Sequence, residues 1–445
     1  MKIRRFLALL ACAALGLCLC LPAAAYTPDN VSLTAPSAVV VFIGQQPSDD
    51  VTLFSQNADT RISPSATLRV LSTLVALDLI QQKGLGDATG TFTAELNNLI
   101  AYTGIGTAGM QIGDTWAVKD LLQVSYMATA ADAAITLAET LAGSNAAFVQ
   151  AMNDKAAALG CTDSHFTNVT ALDDPNQYTS AMDLYRIMRA AMDDPAFVDI
   201  ASKTLYKVGT QPYNAVNEMM SGGPNNYPAV LFGRTGGTGT GYNMVQVAQS
   251  NGYKYLVVVM DSHDPAGTGG VSTTADKAAA YADAKALFGW AFNNFTYKTI
   301  IGKNTPVDSS IKLHLSWSAD TVTLVPAADV AALVPNDLPL NSIQKVVTLN
   351  ATEVNAPITK GQVLGKVTLY INVDEKIAEA DLVADQSMPA SKILTVWAGI
   401  TGVLSSPWLY LVLAVIIVLI TAYIVLNIVH NKKKKKKTSG LRLRK

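Results

Sequence analysis

An uncharged apolar stretch near the end of the chain limits what the rest of the chain can fold into. The 20 residues from Pro407 to Leu426 contain no charged residue, and about 20 apolar residues span the hydrocarbon core of a bilayer. Six consecutive lysines, Lys432 to Lys437, follow this stretch, and such a cluster marks the cytoplasmic end of a spanning helix. We therefore predict a single-pass protein of the cell membrane, with a transmembrane helix over 407–430, a basic cytoplasmic tail over 431–445 and an extracytoplasmic ectodomain.

The other end of the chain has the three parts of a secretion signal. Basic residues stand at positions 2, 4 and 5, an apolar run covers 6–21, and small residues at 23–25 form a cleavage site. This order is typical of a signal peptide, which we place over residues 1–25. Three of the four cysteines lie inside it, so Cys161 alone remains. The exported part is therefore predicted to have no internal disulfide.

The near-zero net charge of the whole chain hides an acidic ectodomain. Twelve of the 33 basic residues lie in the signal and the tail, which leaves 21 against 34 acidic residues, a net of −13. Nucleic-acid binding needs a basic surface. We therefore predict no nucleic-acid partner.

Between the two ends, the hydrophobic patterns predict two domains. In the first, over 26–296, strand patterns stand near both ends and helical patterns between them, which favours an α+β fold with one sheet. The helical patterns cover 68–82, 118–142, 145–159, 181–192 and 275–292, and the strand patterns cover 38–43, 51–54, 244–249 and 255–260. The second domain, over 297–391, has short β-rich runs typical of a small all-β module. A juxtamembrane segment over 392–406 follows.

A degenerate active-site motif opens the first long helical pattern. The segment from Pro64 to Asp78 resembles the helix start of D-alanyl-D-alanine carboxypeptidases, the low-molecular-mass penicillin-binding proteins, where the frame reads Pro-Ala-Ser-x-x-Lys. In that family the Ser is the acyl-forming nucleophile, and the Lys one turn later helps to remove its proton. Here Ala66 stands at the Ser position and Arg69 at the Lys position.

The resemblance to this family extends over nearly the whole ectodomain. Further segments match the family's landmarks in the same order along the chain, at 57–59, 113–122, 152–156, 159–168, 172–184 and 356–365. The last of them resembles a segment of the β domain that follows the catalytic domain in these carboxypeptidases. The resemblance implies the penicillin-binding-protein/β-lactamase-like transpeptidase fold, followed by a small all-β domain and the transmembrane helix.

The second and third motifs of the family are also altered. Thr129 and Ala131 occupy the positions of Ser-x-Asn, so a hydroxyl remains but the amide is absent. Lys-Thr-Gly becomes Arg234, Thr235 and Gly236, which keeps a positive charge and a hydroxyl that can bind a carboxylate. The resemblance thus implies four substrate-binding residues, Thr129, Arg234, Thr235 and Gly236. It implies no intact catalytic residue.

Ser65 is the remaining candidate nucleophile. It lies four residues before Arg69, a spacing that shares one helix face. A guanidinium does not deprotonate in proteins, and a Ser hydroxyl without a base is a weak nucleophile. The favoured interpretation is that Ser65 is the N-cap of the helix.

Other candidate sites are weaker. The four histidines are scattered along the sequence without a companion at metal-ligand spacing, so we predict no metal site and no cofactor. The glycine-rich run over 233–241 lacks the Gly-Lys-Ser/Thr ending of a phosphate-binding loop. We predict a loop there, beside the third motif.

Three functions remain open at this point. The favoured one is a catalytically degenerate pseudoenzyme that binds peptidoglycan stem peptides or a cell-wall protein. The alternatives are an active D-alanyl-D-alanine carboxypeptidase that trims the terminal D-Ala, and a structural envelope scaffold. Fold alone does not decide between them. The sequence leaves the oligomeric state open.

Overall fold

The chain forms two compact units, one ending at Thr296 and the other beginning at Tyr297. The computed structural model describes residues 31–266, 273–371 and 375–440. The predicted signal peptide and the last five residues of the predicted tail lie outside the described residues.

The first unit is built on an antiparallel sheet to which both ends of the unit contribute. Its strands are β1 (Ser37–Ile43), β2 (Val51–Gln56), β3 (Thr89–Thr91), β4 (Thr115–Ala117), β5 (Leu205–Val208), β6 (Gln211–Asn214), β7 (Val230–Gly237), β8 (Tyr242–Ser250) and β9 (Tyr253–Ser262). The main sheet has the order β2-β1-β9-β8-β7, and β3-β4 and β5-β6 form two small antiparallel pairs. β1 is buried at every position because its side chains are almost all apolar. The predicted α+β fold is confirmed, and β7 forms one edge of the main sheet.

Among the described residues of this unit, seven α-helices lie in sequence between β2 and β7, and an eighth follows β9. They are α1 (Arg69–Lys83), α2 (Ala94–Ile100), α3 (Val118–Met127), α4 (Ala131–Ala142), α5 (Asn145–Ala158), α6 (Ala181–Ala191), α7 (Pro195–Ser202) and α8 (Thr274–Asn294). The first eight residues of α1 are all buried, so this helix runs through the core. Side chains at helix starts fix several boundaries, as in α8, where Thr273 and Asp276 form a capping box.

The single helix predicted over 118–142 is wrong, because the segment forms two helices. α3 ends at Met127 and α4 begins at Ala131, with Thr129 between them at a φ of +56°. Long-range hydrogen bonds hold the break: the Ala131 N–H donates to the Gly106 carbonyl at 2.9 Å, and the Val216 N–H donates to the Met127 carbonyl at 3.2 Å. Tertiary contacts therefore override the high helix propensity of this alanine-rich segment.

The loop predicted over 233–241 is also wrong in its first half, because β7 continues to Gly237. Glycine is required in β7 because other parts of the backbone approach the strand closely, and not because the chain turns there. A Cβ on Gly233 would lie 2.5 Å from the Val245 carbonyl oxygen of the neighbouring strand. The irregular part is confined to the residues between β7 and β8.

The second unit contains the predicted all-β domain, followed by two helices. Its strands are β10 (Phe295–Ile301), which begins just before the boundary, β11 (Ser310–His314), β12 (Thr321–Pro326), β13 (Val330–Pro335), β14 (Gln344–Leu349), β15 (Glu353–Asn355), β16 (Val363–Ile371) and β17 (Glu375–Ala384). The larger sheet has the order β14-β16-β17-β12-β11-β15, and β10 pairs with β13. An apolar cluster that includes Ile311, Val322 and Val367 forms the core of this domain.

The predicted juxtamembrane segment is helical, which the sequence analysis did not predict. It forms α9 (Lys392–Leu404), and α10 (Pro407–Gly440) follows after two residues. Within the part of α10 from Pro407 to Lys432, an 18-residue stretch has a mean hydropathy of 3.0, and the length and composition of this part suffice to cross a membrane. The helix continues through the lysine run into the predicted tail.

Candidate active site

The positions of the three altered motifs meet where β7 crosses the start of α1. A 3-10 turn, Ser65–Leu68, leads directly into α1. A Cβ on Gly236 of β7 would lie 2.6 Å from the Ala66 backbone nitrogen and 2.9 Å from the Ser65 Oγ. Only glycine permits this approach without moving a backbone. We call the set Ser65, Ala66, Arg69, Thr129 and Arg234 the motif junction.

Ser65 is not the helix N-cap that the sequence predicts. Leu68 is the N-cap of α1 and Pro64 that of the preceding 3-10 turn, and Ser65 has a φ of +47°, outside the extended region of an N-cap. Its Oγ donates a hydrogen bond across to the Gly237 carbonyl oxygen of β7. A peptide carbonyl is not a base, so this contact engages the hydroxyl without activating it.

Arg69 is a buried structural side chain. It is 1% exposed, and its guanidinium donates to the carbonyl oxygens of Val169 and Thr170, the latter at 3.0 Å. Burial, and after it the charge of Arg234, lower the pKa of Arg69 to about 9, although the charge of Asp132 opposes the shift. Arg69 therefore keeps its proton at neutral pH and cannot take one from a hydroxyl.

Arg234 connects all three motif positions. Its Nε donates to the Ala66 carbonyl at 3.2 Å, its Nη1 to the Met127 carbonyl at 3.5 Å, and its Nη2 to the Thr129 Oγ1. Its guanidinium carbon lies 5.7 Å from the centroid of the Tyr126 ring, within the range of a cation–π contact. The side chain is 1% exposed, and burial lowers its pKa.

The structure brings the predicted substrate-binding residues together, but it buries Arg234, Thr235 and Gly236 and leaves Thr129 half-buried. Thr129 accepts the hydrogen bond from Arg234, and the Tyr242 hydroxyl donates to the Thr235 Oγ1 at 3.5 Å. Thr235 is buried to the same degree as Arg234, and Ala131 is fully buried. The hydroxyl and guanidinium groups expected to hold a carboxylate therefore have partners within the chain.

An open pocket lies beyond the motif junction, at the end of β7. It has a volume of about 540 Å³ and is lined by residues that include Asp173, Gly239, Thr274 and Lys277. The Asp173 Oδ1 accepts from the Ser63 Oγ at 2.6 Å, and Lys277 forms an ion pair with Glu218. We call it the strand-end pocket. The sequence analysis missed Lys277 because it lies on α8, and only the fold brings it beside β7.

Metal-ligating side chains do not cluster in the part of the chain that the structure describes. No group of three or more His, Cys, Asp or Glu side chains there could hold a metal ion. His165, which falls in one of the family's landmarks, has its Nδ1 2.8 Å from the Asn176 carbonyl oxygen. This contact ties together the segment that also carries Asp173.

Comparisons with known proteins agree with this architecture. Residues 24–264 match the family described as D-alanyl-D-alanine carboxypeptidase, and residues 295–390 match the penicillin-binding protein 5 C-terminal domain. The D-alanyl-D-alanine carboxypeptidase DacD of Escherichia coli is 27% identical over 292 residues, which cover 64% of this chain and 70% of the relative. DacB2 of Mycobacterium tuberculosis is 32% identical over 203 residues, which cover 44% of this chain and 65% of the relative.

Solved structures show the same fold. Penicillin binding protein 5 from Haemophilus influenzae aligns with a TM-score of 0.61 at 23% identity, over 82% of this chain and 99% of that chain. A peptidoglycan synthesis regulatory factor (PBP3) from Streptococcus pneumoniae aligns with a TM-score of 0.62 at 18% identity, over 80% of this chain and 100% of that chain. The fold that the sequence resemblance implies is therefore confirmed, and the chain belongs to the D-alanyl-D-alanine carboxypeptidase family of penicillin-binding proteins, a family that acts on peptidoglycan.

Proposed function

We propose that this chain is a non-acylating member of its family, anchored in the cell membrane, which binds a cell-wall ligand without cleaving it. The observation that carries the proposal is the position of Arg234. Its guanidinium is hydrogen-bonded to Ala66 of the first motif and to Thr129 of the second, and it is withdrawn from solvent. The space in which a nucleophile, a base and a substrate would have to meet is therefore occupied by a structural contact.

The chemistry of the motif junction supports the loss of acylation. Ala66 has no oxygen to form an acyl bond, and Arg69 has no lone pair to accept a proton at neutral pH. Ser65 has a hydroxyl, but its hydrogen bond goes to the Gly237 carbonyl rather than to a base. The alternative of an active carboxypeptidase would require Ser65 to turn away from β7 and to find a base that the junction does not offer.

The strand-end pocket is the better candidate for ligand binding. Binding of a peptide carboxylate by Arg234 and Thr235, as the family resemblance implies, would first have to break their internal hydrogen bonds, at a cost of about 1.5–3 kcal/mol for each bond to a charged group. Asp173, Thr274 and Lys277 already line open space. A peptide terminus with both a carboxylate and polar backbone groups, such as a peptidoglycan stem peptide or a segment of a wall protein, fits this set of groups.

The location of the protein follows from its two ends. The signal sequence would export the chain, and α10 would hold it with the ectodomain outside the cell membrane and the basic tail in the cytoplasm. Protease added to intact protoplasts should remove the ectodomain and leave a tag at Lys445 protected. Digestion of the tag would contradict this orientation.

Fluorescent penicillin tests the loss of acylation. The full-length chain in membranes should give no stable covalent band, and the relative DacD of Escherichia coli in the same gel serves as the positive control. A band that disappears in the Ser65→Ala variant would establish the active alternative instead.

Calorimetry tests ligand binding. A stem peptide with a free C-terminal carboxylate should bind weakly and non-covalently, and the Lys277→Met variant should lose more affinity for the acid than for its C-terminal amide. Absence of binding to either form would favour the third function, a structural envelope scaffold with a closed cleft.

A further inference from the structure

We propose that the motif junction binds one small inorganic anion, a halide such as chloride, against the guanidinium groups of Arg69 and Arg234. The anion is a structural component of the fold, and its site is separate from the strand-end pocket that we propose for a wall ligand. The inference therefore depends neither on the identity of that ligand nor on the membrane anchor.

The first observation is a buried donor without an acceptor in the protein. The two terminal nitrogens of Arg69 donate to the carbonyl oxygens of Val169 and Thr170, whereas its Nε has no hydrogen-bond partner among the residues that the structure describes. The side chain is 1% exposed. A guanidinium N–H that is buried without an acceptor costs free energy. We therefore expect an acceptor from outside the chain beside this nitrogen.

The second observation is that two buried cationic side chains lie close together. The Ala66 carbonyl oxygen accepts one hydrogen bond from the Arg69 backbone N–H and another, at 3.2 Å, from the Arg234 Nε. Arg234 is as deeply buried as Arg69, and its charge contributes to the lowered pKa of Arg69. Like charges repel strongly in such surroundings because little water screens them.

The acidic group beside these side chains balances only one of the two positive charges. The Asp132 carboxylate opposes the shift in the pKa of Arg69. Its oxygens already accept from three backbone N–H groups, those of Ala108, Met110 and Ala133. The phenol of Tyr126, which faces Arg234, stays neutral because burial raises its pKa. Two positive charges therefore meet one negative charge, and one monovalent anion would complete the balance.

Arg189 shows how the same chain stabilises a buried guanidinium elsewhere. Its side chain is 7% exposed, and it forms ion pairs with Asp50 at 2.8 Å and with Asp193 at 2.7 Å. Buried charges are normally paired in this way. Within the described ranges, Arg69 and Arg234 form no ion pair with a carboxylate. The balancing charge at the junction therefore comes from solution.

Charge and burial together favour a small monovalent anion over other anions. A divalent phosphate or sulfate would reverse the charge of the junction rather than balance it. A bulky organic carboxylate would have to displace the internal hydrogen bonds of Arg234. The start of α1 adds to the attraction, because this helix begins at Arg69 without an acidic residue in its first turn, and the amino end of a helix has a positive partial charge.

Thermal unfolding of the full-length chain in detergent micelles tests the site. Sodium chloride replaces sodium gluconate at constant ionic strength and neutral pH, so that screening is unchanged and the size of the anion differs. A ligand that binds the folded state alone raises Tm with its concentration. We expect a saturable rise of about 3 °C or more, and bromide should act like chloride.

A matched pair of variants at position 129 separates charge compensation from other effects of salt. Thr129→Asp places a carboxylate where the Arg234 Nη2 donates, and the φ of +56° at this position suits Asp and Asn better than Thr. Because the carboxylate replaces the anion, the Tm of Thr129→Asp should no longer depend on chloride. Thr129→Asn has nearly the same shape without the charge, and it should keep most of the rise.

Arg69→Met removes one of the two positive charges and should also lose the rise with chloride. If this variant does not fold, the pair at position 129 decides. No difference in Tm between gluconate and chloride, or equal chloride dependence of Thr129→Asp and Thr129→Asn, would overturn the inference. Crystals of the full-length chain grown in sodium bromide should show an anomalous peak beside the Arg69 Nε. Bromide bound only elsewhere would overturn it as well.

Discussion

The motif junction and the strand-end pocket lie along the same strand, yet they have opposite characters. At the junction, the buried guanidinium of Arg234 donates to the Thr129 hydroxyl and to backbone carbonyls. A few residues further along, Asp173 and Lys277 line open space. In the non-acylating protein that we propose, this structural contact takes the place of a reaction centre, and a polar surface lies just outside it.

The largest loss of stability is expected when one methyl group is added at the junction. Gly236→Ala places a Cβ 2.6 Å from the Ala66 backbone nitrogen, so either β7 or the turn before α1 must move. We expect a loss of about 3 kcal/mol or more in the free energy of unfolding, at the upper end for overpacked sites. Denaturant unfolding followed by circular dichroism would measure it.

Gly239→Ala is the matched control at the pocket. Its new Cβ would come no closer than 3.5 Å to Asp173 Oδ2, an ordinary contact, so the change should stay within about 0.5 kcal/mol. Equal effects of the two substitutions would remove the distinction between a closed junction and an open pocket.

The second-largest loss of stability is expected when a cationic side chain is removed, Arg234 at the junction or, for comparison, Lys277 at the pocket. Arg234→Met leaves the Ala66 and Met127 carbonyls and the Thr129 hydroxyl without their donor. Relief of repulsion with Arg69 offsets part of the loss, and we expect a net destabilisation of about 2–3 kcal/mol. A fall in Tm of about 5–10 °C in a thermal melt would correspond to it.

Lys277→Met removes a charge of the same sign from the pocket. The ion pair of Lys277 with Glu218 is partly exposed, and such pairs contribute about 0–1 kcal/mol. Its Tm should therefore change by less than a third of the shift in Arg234→Met. A larger fall for Lys277→Met than for Arg234→Met would mean that the pocket, not the junction, holds this part of the fold together.

Sequence patterns predicted the elements of this molecule better than they predicted its junction. The sheet assembled from both ends of the first unit follows from alternating and continuous apolar runs, which are local signals. The motif positions could be found because short segments of the family keep their order. These signals say which residues come near one another, and the structure confirms the fold they imply.

The state of the junction could not be predicted because long-range contacts determine it. Arg234 is buried because its hydrogen-bond acceptors come from Ala66, Met127 and Thr129, which are more than 100 residues away in sequence. The break at Thr129 likewise depends on bonds from Gly106 and Val216, whereas the local composition favours a continuous helix. A residue's type shows what it can bind, but only the fold shows whether it is already bound.

A smaller effect is expected for Ser65→Ala. The substitution removes the hydrogen bond to the Gly237 carbonyl while the left-handed backbone of Ser65 remains. One neutral hydrogen bond contributes about 0.5–1.5 kcal/mol, so Tm should fall by a few degrees at most. Ser65→Gly, which favours a positive φ, should recover part of this loss. A Ser65→Gly variant less stable than Ser65→Ala would show that the positive φ is not what limits this position.

The smallest effect is expected on acylation, when the family's own residues are restored at the first motif. Ala66→Ser together with Arg69→Lys returns the nucleophile and the base in name, yet we expect no stable band with fluorescent penicillin. Arg234 would still engage Thr129 in this variant, and Ala131 would still offer no amide to a substrate carbonyl. Adding Arg234→Lys and Ala131→Asn one at a time to the double variant separates the two explanations. A band already present in the double variant would show that the first motif alone abolishes acylation. A band that appears on adding Arg234→Lys but not on adding Ala131→Asn would show that Arg234 closes the site.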